Sequence, residues 1–170
     1  MSELHIWTDG SCLNNGKNNA MCGIGIFYKK DSQLNVSSAL PPGKFTNNRA
    51  ELCAILYALC TNKADQDIVI HTDSRYSINC ITVYAPKWKL NGWKTTSNSS
   101  VEWANIISYI ISLIEKRNKR GGKTRFIHVK GHSHDSNNNA ADLLARNAAL
   151  HGNIDRKILF LVAVCKVPFD

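Results

Sequence analysis

A buried strand is predicted by the run Val69-Ile70-His71-Thr72-Asp73-Ser74, which is apolar and rich in β-branched residues and ends in an aspartate. A second run, Ile6-Trp7-Thr8-Asp9-Gly10, ends in the same way, at a Thr-Asp-Gly turn signal. The carboxyl ends of buried strands form the edge at which α/β sheets commonly bind ligands. If the two strands are neighbours, about 4.8 Å apart, the carboxylates of Asp9 and Asp73 converge there and require a compensating cation.

The periodicity outward from these two runs predicts one α/β domain, in which a single mixed sheet is flanked by helices. The element order is βββ-α-β-α-α-β-α, and the first three strands suggest an antiparallel meander. The predicted strands are residues 4–7, 21–28, 33–40, 67–72 and 124–129; the predicted helices are residues 48–60, 74–81, 101–116 and 140–150; polar loops are predicted at 84–100 and 131–139.

The composition is typical of one globular, intracellular domain. The chain has 170 residues, of which 44% are hydrophobic and 20% charged, and this length leaves little room for a second domain. No apolar run approaches the roughly 20 residues that cross a bilayer, and no signal peptide is recognised. We therefore expect an intracellular protein without a membrane span, whose compartment (nucleus, cytoplasm or organelle) is not assigned. The six cysteines include no C-x-x-C pair, which favours reduced thiols over a disulfide framework.

Positive charge is concentrated in one part of the chain. The formal net charge is +8, and residues 74–130 hold eleven lysines and arginines against two acids. A lysine-rich loop and a solvated helix face could account for this excess. Because tryptophans are interleaved with the basic residues, the segment fits a polyanion-binding surface better, and a nucleic acid is the expected partner.

Two further carboxylates lie near predicted helix starts. Asn47 or Asn48 could cap the first helix, Glu51 could complete a capping box with Asn48, and Asp142 could complement a helix dipole. Taken singly, Asp9 and Asp73 could also be turn formers. Four carboxylates together, beside a basic segment with tryptophans, favour a site for a hard cation. Oxygen ligands without nearby cysteine or histidine spacing select Mg²⁺ or Mn²⁺ over zinc.

The local contexts of these carboxylates resemble type 1 ribonuclease H over about residues 4 to 150. The motifs are Thr8-Asp9-Gly10-Ser11-Cys12, Thr46-Asn47-Asn48-Arg49-Ala50-Glu51-Leu52, Thr72-Asp73-Ser74, and Gly131-His132 followed ten residues after the histidine by Asp142. The resemblance implies the ribonuclease H-like fold, with sheet order 3-2-1-4-5, and a catalytic domain at residues 1–150. It also implies an endonuclease that cleaves the RNA strand of RNA/DNA hybrids. A DNA-directed nuclease and a non-catalytic nucleic-acid-binding protein on the same fold are the alternatives.

The resemblance assigns a catalytic role to five residues. Asp9, Glu51, Asp73 and Asp142 would hold two Mg²⁺ ions, for which Mn²⁺ could substitute. One ion would activate the attacking water, and the other would stabilise the leaving 3′ oxygen, which gives 5′-phosphate and 3′-hydroxyl ends. His132 resembles the family's mobile histidine, which carries a proton or aids product release.

The resemblance also assigns substrate contacts. Asn15, Asn47 and Asn48 match positions that contact the minor groove. Residues 88–95 match the basic protrusion, with Trp88, Trp93 and Lys94 on the DNA strand; Tyr76 lines the same channel, and Lys44 and Thr46 contribute to a DNA phosphate pocket. Trp103 stands where the family usually has an asparagine, so either Asn105 replaces it or the pocket is incomplete. Asn139 stands where an acid is common.

The chain ends are the least defined by sequence. Residues 151–170 are expected to form a C-terminal extension packed on the domain. The apolar run 158–165 predicts an additional strand or a packed tail, with a dimer contact as the alternative to an expected monomer. Because Asp9 lies eight residues from the start, we expect no separate N-terminal hybrid-binding module.

Overall fold

The computed structural model describes residues 2–164 and contains one five-stranded sheet with helices on both faces. The strands are β1 (Leu4–Leu13), β2 (Met21–Phe27), β3 (Val36–Ala39), β4 (Ile68–Thr72) and β5 (Thr124–His128). The helices are α1 (Asn47–Thr61), α2 (Arg75–Asn79), α3 (Ala85–Leu90), α4 (Ala104–Lys119), α5 (Ser136–His151) and α6 (Arg156–Val164), and a π-helical turn (Cys80–Tyr84) joins α2 to α3. The sheet order is β3-β2-β1-β4-β5, which confirms the predicted fold.

The pairing of β1 explains where its functional residues lie. β1 pairs antiparallel with β2 as far as Leu13 opposite Met21, so the prediction of a turn at Thr8-Asp9-Gly10 was wrong. The parallel pairing of β1 with β4 ends earlier, at Trp7 opposite His71. Asp9 is thus inside a strand but just beyond the end of the parallel ladder, at the edge where β4 also ends.

The main core lies between the sheet and α1. Helix α1 is buried almost throughout, and Leu52, Ile55 and Leu56 have no exposed surface. On the opposite face α5 lies so close to β2 that a Cβ atom at Gly25 would overlap the Ala141 carbonyl oxygen. Glycine in β2 therefore permits the close helix-to-sheet approach.

Two helices begin earlier than their sequence signals suggested. The cap of α1 is Thr46, whose hydroxyl accepts a hydrogen bond from the Arg49 N–H at 3.2 Å, so the predicted caps Asn47 and Asn48 were wrong. Helix α5 begins at Ser136 rather than residue 140, because Asp135 caps it by accepting from two backbone N–H groups. The asparagine-rich run after Asp135 is therefore the first turn of a helix and not a loop.

Two other expectations about local structure were wrong. The predicted loop 84–100 contains helix α3, which has Pro86 in its first turn, where proline is tolerated. Of the two expectations for residues 158–165, an additional strand or a packed tail, the strand was wrong. The run belongs to helix α6, with Ile158 and Leu161 buried against the core; residue 165 lies outside the described part. No helix among the described residues is long and apolar enough to cross a bilayer.

The expectation of reduced cysteines was wrong for one pair. Cys12 and Cys22 lie directly opposite each other on β1 and β2, with their Cα atoms 4.0 Å apart, and form a disulfide. Strand register, which is not visible in the cysteine spacing, brings them together. Cys53 and Cys80 are buried in the core, and Cys165 lies outside the described residues.

Candidate active site

Three of the predicted metal ligands come together at the edge of the sheet. Asp9, Glu51 and Asp73 each offer a carboxylate oxygen, and these atoms all lie within 4.8 Å of one another. Asp9 is 4% exposed and Glu51 8%. They come from β1, the second turn of α1 and the residue after β4, three elements far apart in sequence.

Gly10 makes this convergence possible. A Cβ atom at Gly10 would overlap the backbone nitrogen of Glu51 and the carbonyl carbon of Ala50. Helix α1 therefore packs directly on the backbone of β1, which brings Glu51 beside Asp9. The Gly10 backbone also hydrogen-bonds the Glu51 carboxylate, which partly opposes the rise in the pKa of that group.

Burial and mutual repulsion disfavour the ionised form of the carboxylates in the cluster, and a bound cation would compensate their charge. Burial, followed by the charges of Asp73 and Asp142, raises the pKa of Asp9 to about 8. Burial and the charges of Asp9 and Asp73 also raise the pKa of Glu51 well above its ordinary value. In addition, the buried Oε2 of Glu51 has no hydrogen-bond partner among the described residues. An oxygen-only donor set with an unpartnered buried oxygen fits a hard divalent ion.

Asp142 lies beside this group but outside the compact set of three. Its charge contributes to the raised pKa of Asp9, so the two carboxylates are neighbours. Its Oδ2 also forms an ion pair with Nη2 of Arg146, one helical turn later, at 2.9 Å. Because α5 begins at Ser136, Asp142 lies beyond the first turn, and the helix-dipole alternative loses its basis.

His132 occupies an exposed loop that touches the cluster. The preceding residue, Gly131, packs so closely on Asp73 that a Cβ atom there would lie 2.9 Å from Oδ2. His132 itself has a left-handed backbone, with φ 52°. Asn139 stabilises the loop, because its side-chain amide donates to the Ser133 carbonyl at 3.1 Å.

The predicted minor-groove residues lie at the start of α1 and in the facing loop. The Asn15 side-chain oxygen accepts from the Asn47 N–H at 3.2 Å, and the Asn47 side-chain oxygen accepts from the Cys12 N–H at 2.9 Å. These bonds tie the loop after β1 to helix α1. Asn48 is half-buried in the first turn of α1.

A cavity of about 570 Å³ separates the start of α4 from the basic protrusion. Trp103, which stands where the family usually has an asparagine, and Asn105 both line it. Lys44 bonds Glu102 at 2.8 Å and lies 5.5 Å over the Trp103 ring. The wall also includes Arg49, Trp93 and Lys94. Thr46 is not among the lining residues, and its hydroxyl caps α1.

The other two aromatic candidates lie along the same side. Trp88 packs on Tyr84, with ring centroids 5.5 Å apart, and its carbonyl accepts from the Trp93 N–H at 2.7 Å. Tyr76 is 37% exposed, and burial together with Cys80 raises its pKa above the ordinary value. Trp88 thus fixes the protrusion, whereas Tyr76 presents part of its ring to solvent.

Sequence reasoning assigned no role to two residues that the geometry places in or beside the site. Arg49 lines the cavity and donates to the Pro41 carbonyl at 3.1 Å; it lies within the motif around Glu51, which was the available signal. His128 joins Arg75 at 2.9 Å and the Asp73 carbonyl at 3.2 Å. Its position follows only from the register of β5 with β4.

Comparisons with known proteins identify the family and the fold. A family model described as RNase H matches residues 1–150. A ribonuclease H from Schizosaccharomyces pombe is 41% identical over 144 residues, 85% of this chain and 52% of that protein; a ribonuclease H from Clostridium botulinum is 34% identical over 160 residues, 91% of this chain and 100% of that protein.

A solved structure, a foamy viral protease–reverse transcriptase in complex with RNA/DNA hybrid, matches with a TM-score of 0.68 at 22% identity. The match covers 85% of this chain and 20% of the viral one, and it supports the fold. The chain spans about half the length of the fission yeast relative. The matching family model, the relatives and the sheet order together show that the chain belongs to the RNase H family.

Proposed function

We propose that this chain is an endonuclease that hydrolyses the RNA strand of RNA/DNA hybrids with the help of divalent metal ions. The observation that carries the proposal is the convergence of Asp9, Glu51 and Asp73 within 4.8 Å at the sheet edge. Relatives named ribonuclease H support the reaction class. A binding protein without catalysis would have no use for buried carboxylates that repel one another and phosphates alike.

Asp9, Glu51, Asp73 and Asp142 are the residues that would hold two Mg²⁺ ions. When bound, such ions activate water and stabilise the leaving 3′ oxygen of an in-line displacement, which leaves 5′-phosphate and 3′-hydroxyl ends. Because carboxylates ligate metals in their charged form, Asp9 and Glu51 give up protons when the ions bind. Their raised pKa values make metal affinity increase with pH.

His132 would act on protons at the edge of the site. It is exposed, and its loop contacts Asp73 through Gly131. A neutral imidazole there accepts a proton from water, and its imidazolium form donates to a leaving oxygen. The left-handed backbone of His132 belongs to a loop that presents the ring to solvent rather than to the core.

Two surfaces would distinguish the strands of the hybrid. Asn47 and Asn48 lie at the start of α1 and Asn15 in the facing loop, where amide groups can bond the 2′-hydroxyls displayed in the minor groove. The cavity lined by Lys44, Trp93, Lys94, Trp103 and Asn105 combines cations with flat aromatic surfaces, which suits the phosphates and sugars of the DNA strand.

The test is cleavage of matched RNA/DNA, RNA/RNA and DNA/DNA duplexes with Mg²⁺, with Mn²⁺ and with EDTA. We expect metal-dependent cleavage of the hybrid alone, with products that carry 5′-phosphates. Asp73→Asn should abolish cleavage and retain hybrid binding, whereas Asp31→Asn, at an exposed left-handed position that asparagine tolerates, should leave the rate unchanged. Cleavage of double-stranded DNA, or activity in EDTA, would contradict the proposal.

A further inference from the structure

The basic residues between 74 and 130 do not form one surface. Those of the protrusion lie near the cavity, but another group lies at the end of α4 and in the turn that leads into β5. Lys116, Lys119, Arg120 and Lys123 are all exposed there. We call these four residues the far basic surface.

The far basic surface lies at the opposite end of the sheet from the carboxylates. Helix α4 begins beside the cavity and runs for 16 residues, about 24 Å at the α-helical rise. It ends near the start of β5, where Thr124 pairs with the first residue of β4. Asp73 follows the last residue of β4, so the length of the strand separates the two places.

Folding accounts for only part of these charges. The structural cation of this region is Arg117, which is 2% exposed and donates to the carbonyls of Asn62, Lys63 and Gln66. Neighbouring exposed cations are paired: Lys89 with Glu115 and Arg125 with Glu3.

Within residues 2–164, by contrast, no member of the far basic surface forms an ion pair. The helix dipole favours cations in the last turn. Lys116 and Lys119 in the last turn and Arg120 at the C-cap of α4 are favoured in this way, whereas Lys123 lies three residues beyond the cap and outside the effect.

We propose that the far basic surface binds the phosphate backbone of a nucleic-acid segment outside the catalytic site. Four exposed cations without ion-pair partners can neutralise phosphates of a polyanion. Each neutralised phosphate releases condensed counterions, and this release favours binding. Because a duplex is stiff over this length, one that lies across the carboxylates does not bend back to the opposite end of the sheet, so the bound segment is a second duplex. The proposal rests on the nucleic-acid part of the proposed function and does not require hydrolysis.

The test compares two variants with the same change of charge. Lys119→Glu, Arg120→Glu and Lys123→Glu are combined in one, and Lys29→Glu, Lys30→Glu and Lys157→Glu, at exposed positions elsewhere, in the control. A cleavage-resistant 12-base-pair hybrid with a 2′-O-methyl RNA strand saturates the catalytic site. Binding of a labelled 30-base-pair DNA duplex is then measured by fluorescence anisotropy from 50 to 300 mM salt.

The far variant should bind the labelled duplex at least tenfold more weakly, and the slope of log K against log salt should fall by about two to three. Its kcat/KM on a cleavable 12-base-pair hybrid should stay within twofold of the parent. Cleavage of 12- and 40-base-pair hybrids is also compared. We expect the far variant to keep any advantage of the longer hybrid; loss of that advantage would assign the surface to the flank of the hybrid being cut and not to a second molecule.

Three other results would also overturn the proposal. The far variant could bind both nucleic acids as the parent does, or the control variant could lose as much affinity, which would indicate net charge alone. Reduced cleavage of the 12-base-pair hybrid by the far variant would place the surface within the catalytic footprint instead. Each of these outcomes is distinct from failure of the proposed function, which would appear as no cleavage by the parent.

Discussion

The carboxylate cluster and the cavity beside the protrusion hold their charges in opposite ways. In the cluster, Asp9 and Glu51 are buried next to groups of the same sign. In the cavity, Lys44 is paired with Glu102, and the two side chains are 67% and 56% exposed. The buried carboxylates of the cluster therefore need a cation to compensate their charge, whereas the Lys44–Glu102 pair beside the cavity is already compensated and solvated. Single changes should have large effects in the first region and small ones in the second.

Glu51→Gln should have the largest effect. Glutamine matches the size of the protonated side chain but cannot supply a ligand charge, so cleavage should fall by about 10³-fold or more, on the scale of several kcal/mol of metal stabilisation. The metal-free variant should be more stable than the parent at pH 8, because burial and the neighbouring carboxylates disfavour the ionised form of Glu51 that the unfolded chain carries. Steady-state cleavage and urea unfolding measure the two effects.

Glu3→Gln is the matched control, because Glu3 is exposed and paired with Arg125 at the other end of the sheet. It should keep its rate within twofold. More than a tenth of the parental activity in Glu51→Gln would remove Glu51 from the catalytic set and weaken the contrast between the two regions.

Gly10→Ala should come next. The added Cβ overlaps the backbone of Glu51, so α1 must shift away from β1. Overpacking of this kind costs about 1–3 kcal/mol of unfolding free energy, and the shift should separate Glu51 from Asp9 and lower metal affinity. Ser11→Ala, at the next residue of the same strand, should change neither quantity by a comparable amount. A Gly10→Ala protein with parental stability and metal affinity would contradict the close-packing account.

The cost of ionising the buried carboxylates should appear in the pH dependence of the unfolding free energy. The pKa of Asp9 is about 8 in the folded protein without metal, against an ordinary value of 3.8, so the folded state keeps a proton that the unfolded state releases. Stability in EDTA should therefore fall as pH rises from about 4 to 8, by up to about 1.4 kcal/mol per pH unit. Saturating Mg²⁺ should remove the fall, because it compensates the ionised cluster.

The Asp9→Asn variant separates this effect from other titrating groups, among them His71, whose pKa burial lowers. The difference in unfolding free energy between parent and variant in EDTA should grow from pH 5 to pH 8, in favour of the variant. A constant difference would mean that Asp9 is already ionised in the folded protein. The charged groups of the cluster would then cost no more folding free energy than those of the cavity.

Sequence reasoning predicted the meeting of Asp9 and Asp73 from two strand runs that end in aspartate, which are local signals. It took the sheet order and the place of Glu51 from the resemblance to type 1 ribonuclease H. It failed where the outcome depends on pairing between distant segments. The disulfide between Cys12 and Cys22 follows from strand register, and the approach of His128 to Asp73 follows from the position of β5. The early start of α5 was missed for a different reason, since asparagines favour loops until an aspartate such as Asp135 caps them.

The smallest expected effect concerns the ion pair between Lys44 and Glu102 beside the cavity. Lys44→Ala removes a cation from the wall but also frees Glu102, and an exposed ion pair is worth only about 0–1 kcal/mol. We expect KM for the hybrid to rise by less than about fivefold, with kcat unchanged. Glu102→Gln is the sharper test: it should release Lys44 toward phosphate and lower KM about twofold at low salt, an effect that fades as salt screens the charges.

In the Lys44→Ala background, Glu102→Gln should lower KM by a smaller factor. Without Lys44 to release, the substitution removes only the repulsion between the Glu102 carboxylate and the substrate phosphates. An equal gain in both backgrounds would show that Glu102 repels the substrate directly and that its ion pair with Lys44 does not hold that lysine back. Uncompensated charge, rather than an ion pair, would then govern substrate binding at the cavity, as it does in the carboxylate cluster.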